Sequence, residues 1–192
     1  MFRWIVAGWL ILGSALLMTD PVLAQDSSSS DQDERIPGVV YFEDLSAQHS
    51  PDPVDYEMDP PAGGEHHPVW QNCGFYDEFI VPEHAVHSQE HGAVWITFDP
   101  ELDEEQIAAL EQLAEENSYV LVTPYLDLPS PVVASAWGAQ LALDDVEDER
   151  LALFIREFAG NGPEPGAPCS GGTSEVAPEQ PGGTPVASPV SA

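Results

Sequence analysis

The sequence predicts an α+β domain, a small two-layer fold in which two amphipathic helices pack on one sheet. A long irregular N-terminal half, holding a cysteine and most of the histidines, precedes it. Three observations lead there. Residues 93–159 alternate apolar runs of strand length with 3.6-periodic runs of helix length, in the order strand, helix, strand, strand, helix. Residues 36–92 have little long periodicity and are interrupted by Pro51, Pro53, Pro60, Pro61, Gly63 and Gly64. Residues 25–35 lack any periodic apolar signal, and the chain beyond Cys169 is rich in Pro, Gly and Ser. Ferredoxin-like and thioredoxin-like strand orders both fit this string, and two apolar helix stripes on one sheet face make a sufficient core.

The chain opens with Arg3, an uncharged apolar run from Trp4, and Val22-Leu23-Ala24, which places small residues at −3 and −1 of a cleavage site. That pattern reads as a signal peptide over 1–24. The uncharged run is shorter than the roughly 20 residues a spanning helix needs, so cleavage is the better reading and an uncleaved anchor the alternative. The protein is expected outside the cytoplasm, secreted or membrane-tethered, with membrane contact only through an uncleaved segment. Residues 25–35, QDSSSSDQDER, form a flexible leader.

The single domain spans 36–169. Val39–Phe42 is a short strand candidate and Ala93–Phe98 a longer one. Asp99-Pro100 offers a helix cap with Pro in the first turn, and Asp103 with Gln106 offers a second. Ile107, Leu110, Leu113 and Ala114 then fall on one helical face. Tyr119–Thr123 is the next strand. Val132–Trp137 follows, with Gly138 as a bulge or turn and Gln140–Leu143 extending or pairing with it. Asp144 and Glu147 resemble a capping box, and Leu151, Phe154, Ile155 and Phe158 form the stripe of a last helix, closed by Gly160-Asn161-Gly162. Residues 170–192, rich in Pro, Gly and Ser, are expected to be a disordered tail, with Gly162–Cys169 pinned to the domain if Cys169 is bonded.

Charge narrows the function. The net charge is −30, and beyond residue 24 the only fixed cations are Arg35, Arg150 and Arg156, with no lysine. A nucleic-acid ligand needs cationic groups to neutralise phosphates, and an anionic membrane surface repels such a chain. The two cysteines, Cys73 and Cys169, are most simply one disulfide in an oxidising compartment; ligation of a metal by Cys73 and free thiols are the alternatives.

The six histidines are His49, His66, His67, His84, His87 and His91. Five of them lie within residues 66–91, and neutral imidazole is a good ligand for Zn, Cu, Ni and Fe. In VHSQEHG, a helix puts His87 and His91 on one face at i and i+4, with Glu90 as a supporting carboxylate. His66-His67 sit on a Pro-bounded loop, where adjacent side chains diverge. The expected metal ligands are therefore His66, His67, His87 and His91, and the expected cofactor is Zn or Cu. His49 and His84 are expected to be hydrogen-bonded within packed loops. The pattern H-x-x-E-H also matches an inverted zinc-peptidase motif, but Pro82 and Gly92 keep the helix short and no third ligand is marked. No G-x-S-x-G, dinucleotide glycine pattern, P-loop or EF-hand spacing is present. A non-catalytic surface module with a cell-surface protein partner is the second functional expectation.

Three separated motifs, EHHPVWQNCGFYDEFIVPEHAVHSQEHGAVWITF, VVASAWG and PEPGAPC, resemble a bacterial family of exported proteins catalogued as domain of unknown function 3105. The resemblance runs from about Gly38 to Cys169. The matching positions include His66, His67, Pro68, Trp70, Cys73, Gly74, Tyr76, His87, Glu90, His91, Gly92, Trp95, Trp137 and Gly138. Gly63-Gly64-Glu65 stands where the family has a small polar residue and Gly, and Gln89 where it usually has Leu. The resemblance carries no established activity, but it implies that Cys73 and Cys169 are partners, because both belong to its motifs.

Overall fold

In the computed structural model, residues 35–177 and 179–180 are described. The expected signal peptide and all of the leader except Arg35 lie outside the described residues. The elements are β1 (Val40–Tyr41), β2 (Gly74–Phe75), α1 (Pro82–Glu90), β3 (Val94–Phe98), α2 (Glu104–Glu116), β4 (Val120–Pro124), β5 (Val132–Ala136), β6 (Ala139–Leu143) and α3 (Glu149–Phe158).

One six-stranded sheet has the order β1-β6-β5-β3-β4-β2. β2, β4 and β3 run parallel, whereas β5, β6 and β1 add antiparallel. Counted from β2, the order is 1-3-2-4-5, with a β-α-β crossover through α2 and then a hairpin, which is the thioredoxin-like of the two expected arrangements. Ala136 pairs with Ala139 across the two-residue Trp137-Gly138 turn, and Gly138 supplies the positive φ of 75° there.

Every residue of β3, β4 and β5 is buried, so both sheet faces are covered. The two-residue alternation sorts them. Val94, Ile96, Phe98, Val120, Val122, Val132 and Ala134 face Leu110 and Ala114 of α2 and Leu151, Phe154 and Ile155 of α3. This is the expected layer of two helices on a sheet. On the opposite face Trp95 and Leu121 join Ile80, Ala85 and Tyr125, beneath α1 and the irregular segment.

The start of α2 follows the second of its two cap candidates rather than the first, and the start of α3 differs from the sequence expectation. α2 begins after Asp103, and Asp99 instead accepts from Glu101 N at 2.8 Å in a turn. α3 is capped by Asp148, which accepts from Arg150 N at 2.9 Å and pairs with the same guanidinium at 2.6 Å. Asp145 holds Glu147 N at 2.7 Å in a separate turn, which pulls the capping position forward from Asp144. The Arg150 hydrogen bonds hold the Asp148 carboxyl at about 2, below the ordinary carboxylate range.

After α3 the chain returns as a strap across α1. Gly160 N donates to Gly92 O at 2.8 Å and Glu164 N to Glu90 O at 3.0 Å. Cys169 is disulfide-bonded to Cys73, with Cα atoms 5.4 Å apart, and Cys73 N donates to Cys169 O at 2.8 Å. Thr173 and Ala177 form bridges with Gln71 and Phe79. Residues 170–177, assigned by sequence to the tail, thus lie along the domain; residues 181–192 lie outside the described residues.

Candidate metal centre

α1 is a polar helix buried among loops. Pro82 occupies its first turn, where a missing N–H is harmless. Ala85 faces the sheet, while His87, Ser88, Gln89 and Glu90 are all buried. Two of these side chains tie the helix to the loops. Ser88 Oγ donates to Gln71 O at 2.7 Å, and Gln89 Nε2 donates to Pro61 O at 3.0 Å, so the helix anchors the irregular loops through side chains. Gly92 ends the helix at φ 99°. A Cβ there would come within 2.8 Å of Gly160 C, so Gly is required both by conformation and by the strap's close approach.

The loop above α1 closes through a parallel bridge between His49 and His66, where His66 N donates to Gln48 O at 3.0 Å and Ser50 N to His66 O at 2.8 Å. This bridge puts both rings over the His87–Glu90 face. One ligand atom from each of His49, His66, His87 and Glu90 lies within 4.8 Å of every other. Glu90 Oε2 is 3.1 Å from His66 Nε2, 3.4 Å from His49 Nε2 and 3.9 Å from His87 Nε2. His66 is 0 % exposed and Glu90 4 %, whereas the His49 side chain is 44 % exposed and forms the open edge.

Backbone carbonyls fix the tautomers, because a carbonyl can only accept. His66 Nδ1 donates to Gly64 O at 2.7 Å and His87 Nδ1 to His67 O at 2.7 Å. Each ring therefore turns Nε2 toward the centre, the outer hydrogen bond that metal-ligating histidines characteristically make. Burial pushes the His87 imidazole down to about 4; the His67 carbonyl opposes this, and His66, His91 and His49 reinforce it. His87 is therefore neutral near pH 7, the form that ligates metal.

The donor spacing suits one small ion. Tetrahedral coordination at Zn–N lengths sets ligand atoms about 3.3 Å apart. The His66–Glu90 and His49–Glu90 separations match, His87 stands further out at 3.9 Å from Glu90 Oε2, and the widest separations in the group, up to 4.8 Å, contract on binding. Both cysteines are in the disulfide, so thiolate ligation by Cys73 is excluded and the donors are imidazole and carboxylate.

Of the residues expected from sequence, His66, His87 and Glu90 converge. His91 Nε2 lies 3.1 Å from His87 Nε2 but is outside the group of four, with its Nδ1 donating to Pro168 O at 2.9 Å. His67 points elsewhere: its Nδ1 accepts from Val69 N at 3.1 Å, its ring lies 4.2 Å from that of His84, and its carbonyl orients His87. His84 donates to Val69 O at 2.6 Å, and burial lowers its pKa. His49 joins the centre from 41 residues before Glu90, and no spacing in the sequence marks it. Within H-x-x-E-H, Glu90 occupies a ligand position, and His87 and His91 do not share the group of four.

The fold and site define an α+β domain, closed by one disulfide, around a buried histidine–carboxylate cluster. The chain belongs to the family described as Protein of unknown function (DUF3105), whose model matches residues 48–171, a span that includes the four converging residues and both cysteines. No curated protein and no solved structure matches it.

Proposed function

We propose that this is an extracytoplasmic protein that binds a transition-metal ion, Zn or Cu, through Nε2 of His49, His66 and His87 and a carboxylate oxygen of Glu90. The observation that carries the reading is the pair of hydrogen-bond-fixed rings, His66 and His87, whose Nε2 atoms face the buried Glu90 carboxylate. The His66 Nε2 to Glu90 Oε2 contact of 3.1 Å needs positive charge at that point, supplied by a proton on the ring or by a bound cation. Three imidazoles and a carboxylate form a donor set that Zn and Cu accept. The export-type N-terminus and the disulfide support placement outside the cytoplasm, and among the described residues no helix is long and apolar enough to cross a membrane. Glu90 belongs to the donor set, so no role as a hydrolytic base is proposed for it.

The test is elemental analysis of untagged protein, followed by chelation and titration with Zn(II) and Cu(II). One equivalent is expected. His66→Ala and His87→Ala each weaken binding by more than the roughly 10–100-fold typical of outer-shell changes, while His67→Ala and His84→Ala keep the stoichiometry. Protein that is isolated metal-free and shows no micromolar binding of either ion overturns the reading.

A further inference from the structure

We infer that the Cys73–Cys169 disulfide is a redox latch on the metal centre: oxidised, it holds the strap against Glu90 and the flank of His87 and the ion stays; reduced by a dithiol, it lets the strap lift and the ion leave. The inference rests on the metal-binding reading above and adds the regulation of that site.

The strap bears on the ligands at two places. Gly160 N donates to Gly92 O at 2.8 Å and Glu164 N to Glu90 O at 3.0 Å, so the strap lies along the backbone of one ligand. Gly162 sits so close that a Cβ there would collide with Glu90 O and Gly92 N. Further on, Thr173 N donates to Trp70 O at 2.9 Å, and a Cβ on Gly172 would collide with Trp70 O and with its indole. The Trp70 ring in turn lies 5.6 Å from the ring of His87, a second ligand. The strap thus closes on Glu90 directly and on His87 through Trp70.

The disulfide makes these contacts durable. The strap's backbone hydrogen bonds are each worth little net, and a segment held by a few of them opens locally at small free-energy cost. Cys169 lies between the two bearing points, after Glu164 and before Gly172, and is bonded to Cys73 across a sequence separation of 96. Among the described residues it is the one disulfide that ties the strap to the irregular half. With the bond intact, both contacts flank a fixed point; with it broken, they can open together. The sheet does not depend on them, because β3, β4 and β5 pair with one another and pack on α2 and α3.

The bond is open to exchange from one side. Cys169 is 4 % exposed, whereas Cys73 is partly exposed, so an incoming thiolate attacks Cys73 Sγ. The Sγ–Sγ bond breaks, and Cys169 leaves as a thiolate and takes up a proton. The second thiolate of the reductant then displaces Cys73 Sγ from the mixed disulfide, and Cys73 takes up a proton. Two electrons and two protons pass to the cysteine pair, and the dithiol departs as its own disulfide.

The experiment uses the full chain loaded with Zn(II) and follows transfer of the ion to an excess of a coloured chelator. The reductant is a phosphine, which opens the disulfide without adding a thiol that would itself take Zn(II). Reduction is expected to speed release by at least about tenfold, the lower end of what changes beyond the first ligands do to metal binding. Cys73→Ser/Cys169→Ser is expected to release as fast with or without phosphine. Gly162→Ala, which crowds the strap off Glu90 with the disulfide intact, is expected to speed release with no reductant, and it carries the test if the serine variant does not fold. Hydrogen exchange is expected to lose protection on reduction in residues 160–173 and to keep it in β3, β4 and β5. Equal or slower release from reduced wild type, with two free thiols counted, overturns the latch. Loss of protection throughout the sheet also overturns it, because the disulfide is then a brace of the whole fold. Oxidised wild type that takes up no Zn(II) removes the metal-binding reading itself, and the latch with it.

Discussion

Glu90 is a buried carboxylate whose close polar neighbours are histidines rather than arginine or lysine. An unpaired buried charge is strongly unfavourable, so the carboxylate needs a cationic partner, either a protonated histidine of the cluster or the bound ion proposed above. Two predictions belong at this scale. Saturating Zn(II) or Cu(II) at about 100 times Kd stabilises wild type by about 2.7 kcal/mol, visible as a raised melting temperature. Glu90→Gln removes that shift without lowering the melting temperature of metal-free protein. A metal-induced shift that persists in Glu90→Gln contradicts the assignment. The second concerns His87 in the metal-free chain. Its pKa falls from 6.5 unfolded to about 4 folded, so between these values the unfolded chain binds more protons. The stability that His87 contributes is complete above pH 6.5 and drains away as pH falls toward about 4. Urea midpoints across that range are expected to decline, and less steeply in His87→Gln. The same residue shows what spacing can reveal. His87 and His91, four apart on a helix, were legible as one face with Glu90 as a supporting carboxylate, and of these His87 and Glu90 converge. His49 was not, because it reaches the site through one bridge to His66 across a Pro- and Gly-rich loop, a tertiary fact with no local period.

At the scale of elements, the strap and α1 depend on each other. The disulfide closes a sequence separation of 96 residues. Cys73→Ser/Cys169→Ser is expected to cost about 2–5 kcal/mol, measured by denaturant unfolding, and to free the carbonyl that orients His91. Gly162→Ala tests the contact without touching the disulfide. A Cβ there collides with Glu90 O and Gly92 N, both backbone atoms that cannot swing aside. Lifted amide protection in residues 160–168 by hydrogen exchange is the expected result, and unchanged protection counts against a tight strap. Strand and helix existence was legible because β3, α2, β4 and α3 carry strong periods. The caps were misread where Asp residues cluster. Asp144, Asp145 and Asp148 all carry a capping side chain, and only the local turn decides which one reaches a free N–H. β2, with two residues, is too short to announce itself, yet it forms one edge of the sheet.

For the whole molecule, the net charge of −30 dominates long-range behaviour. Self-repulsion opposes compactness, and salt screens it as the Debye length falls from about 30 Å at 0.01 M to about 3 Å at 1 M. The denaturation midpoint is therefore expected to rise with sodium chloride over that range, and a flat profile shows that the surface charge is already locally compensated. The same field gathers cations around the cluster of His49, His66, His87 and Glu90. The second face of the sheet was the least legible part of the fold. Its cover is a polar helix and loops, joined by single side-chain hydrogen bonds such as Ser88 to Gln71 O and Gln89 to Pro61 O, which leave no repeating pattern in the sequence.

The strap also sets a chronology. Synthesis proceeds from the N-terminus, so His49, His66, His87 and Glu90 are all present once residue 90 has been made. Pro168 comes to His91 only with the segment that Cys169 ties down. A newly made chain thus holds the whole cluster before the cover that the disulfide later fastens.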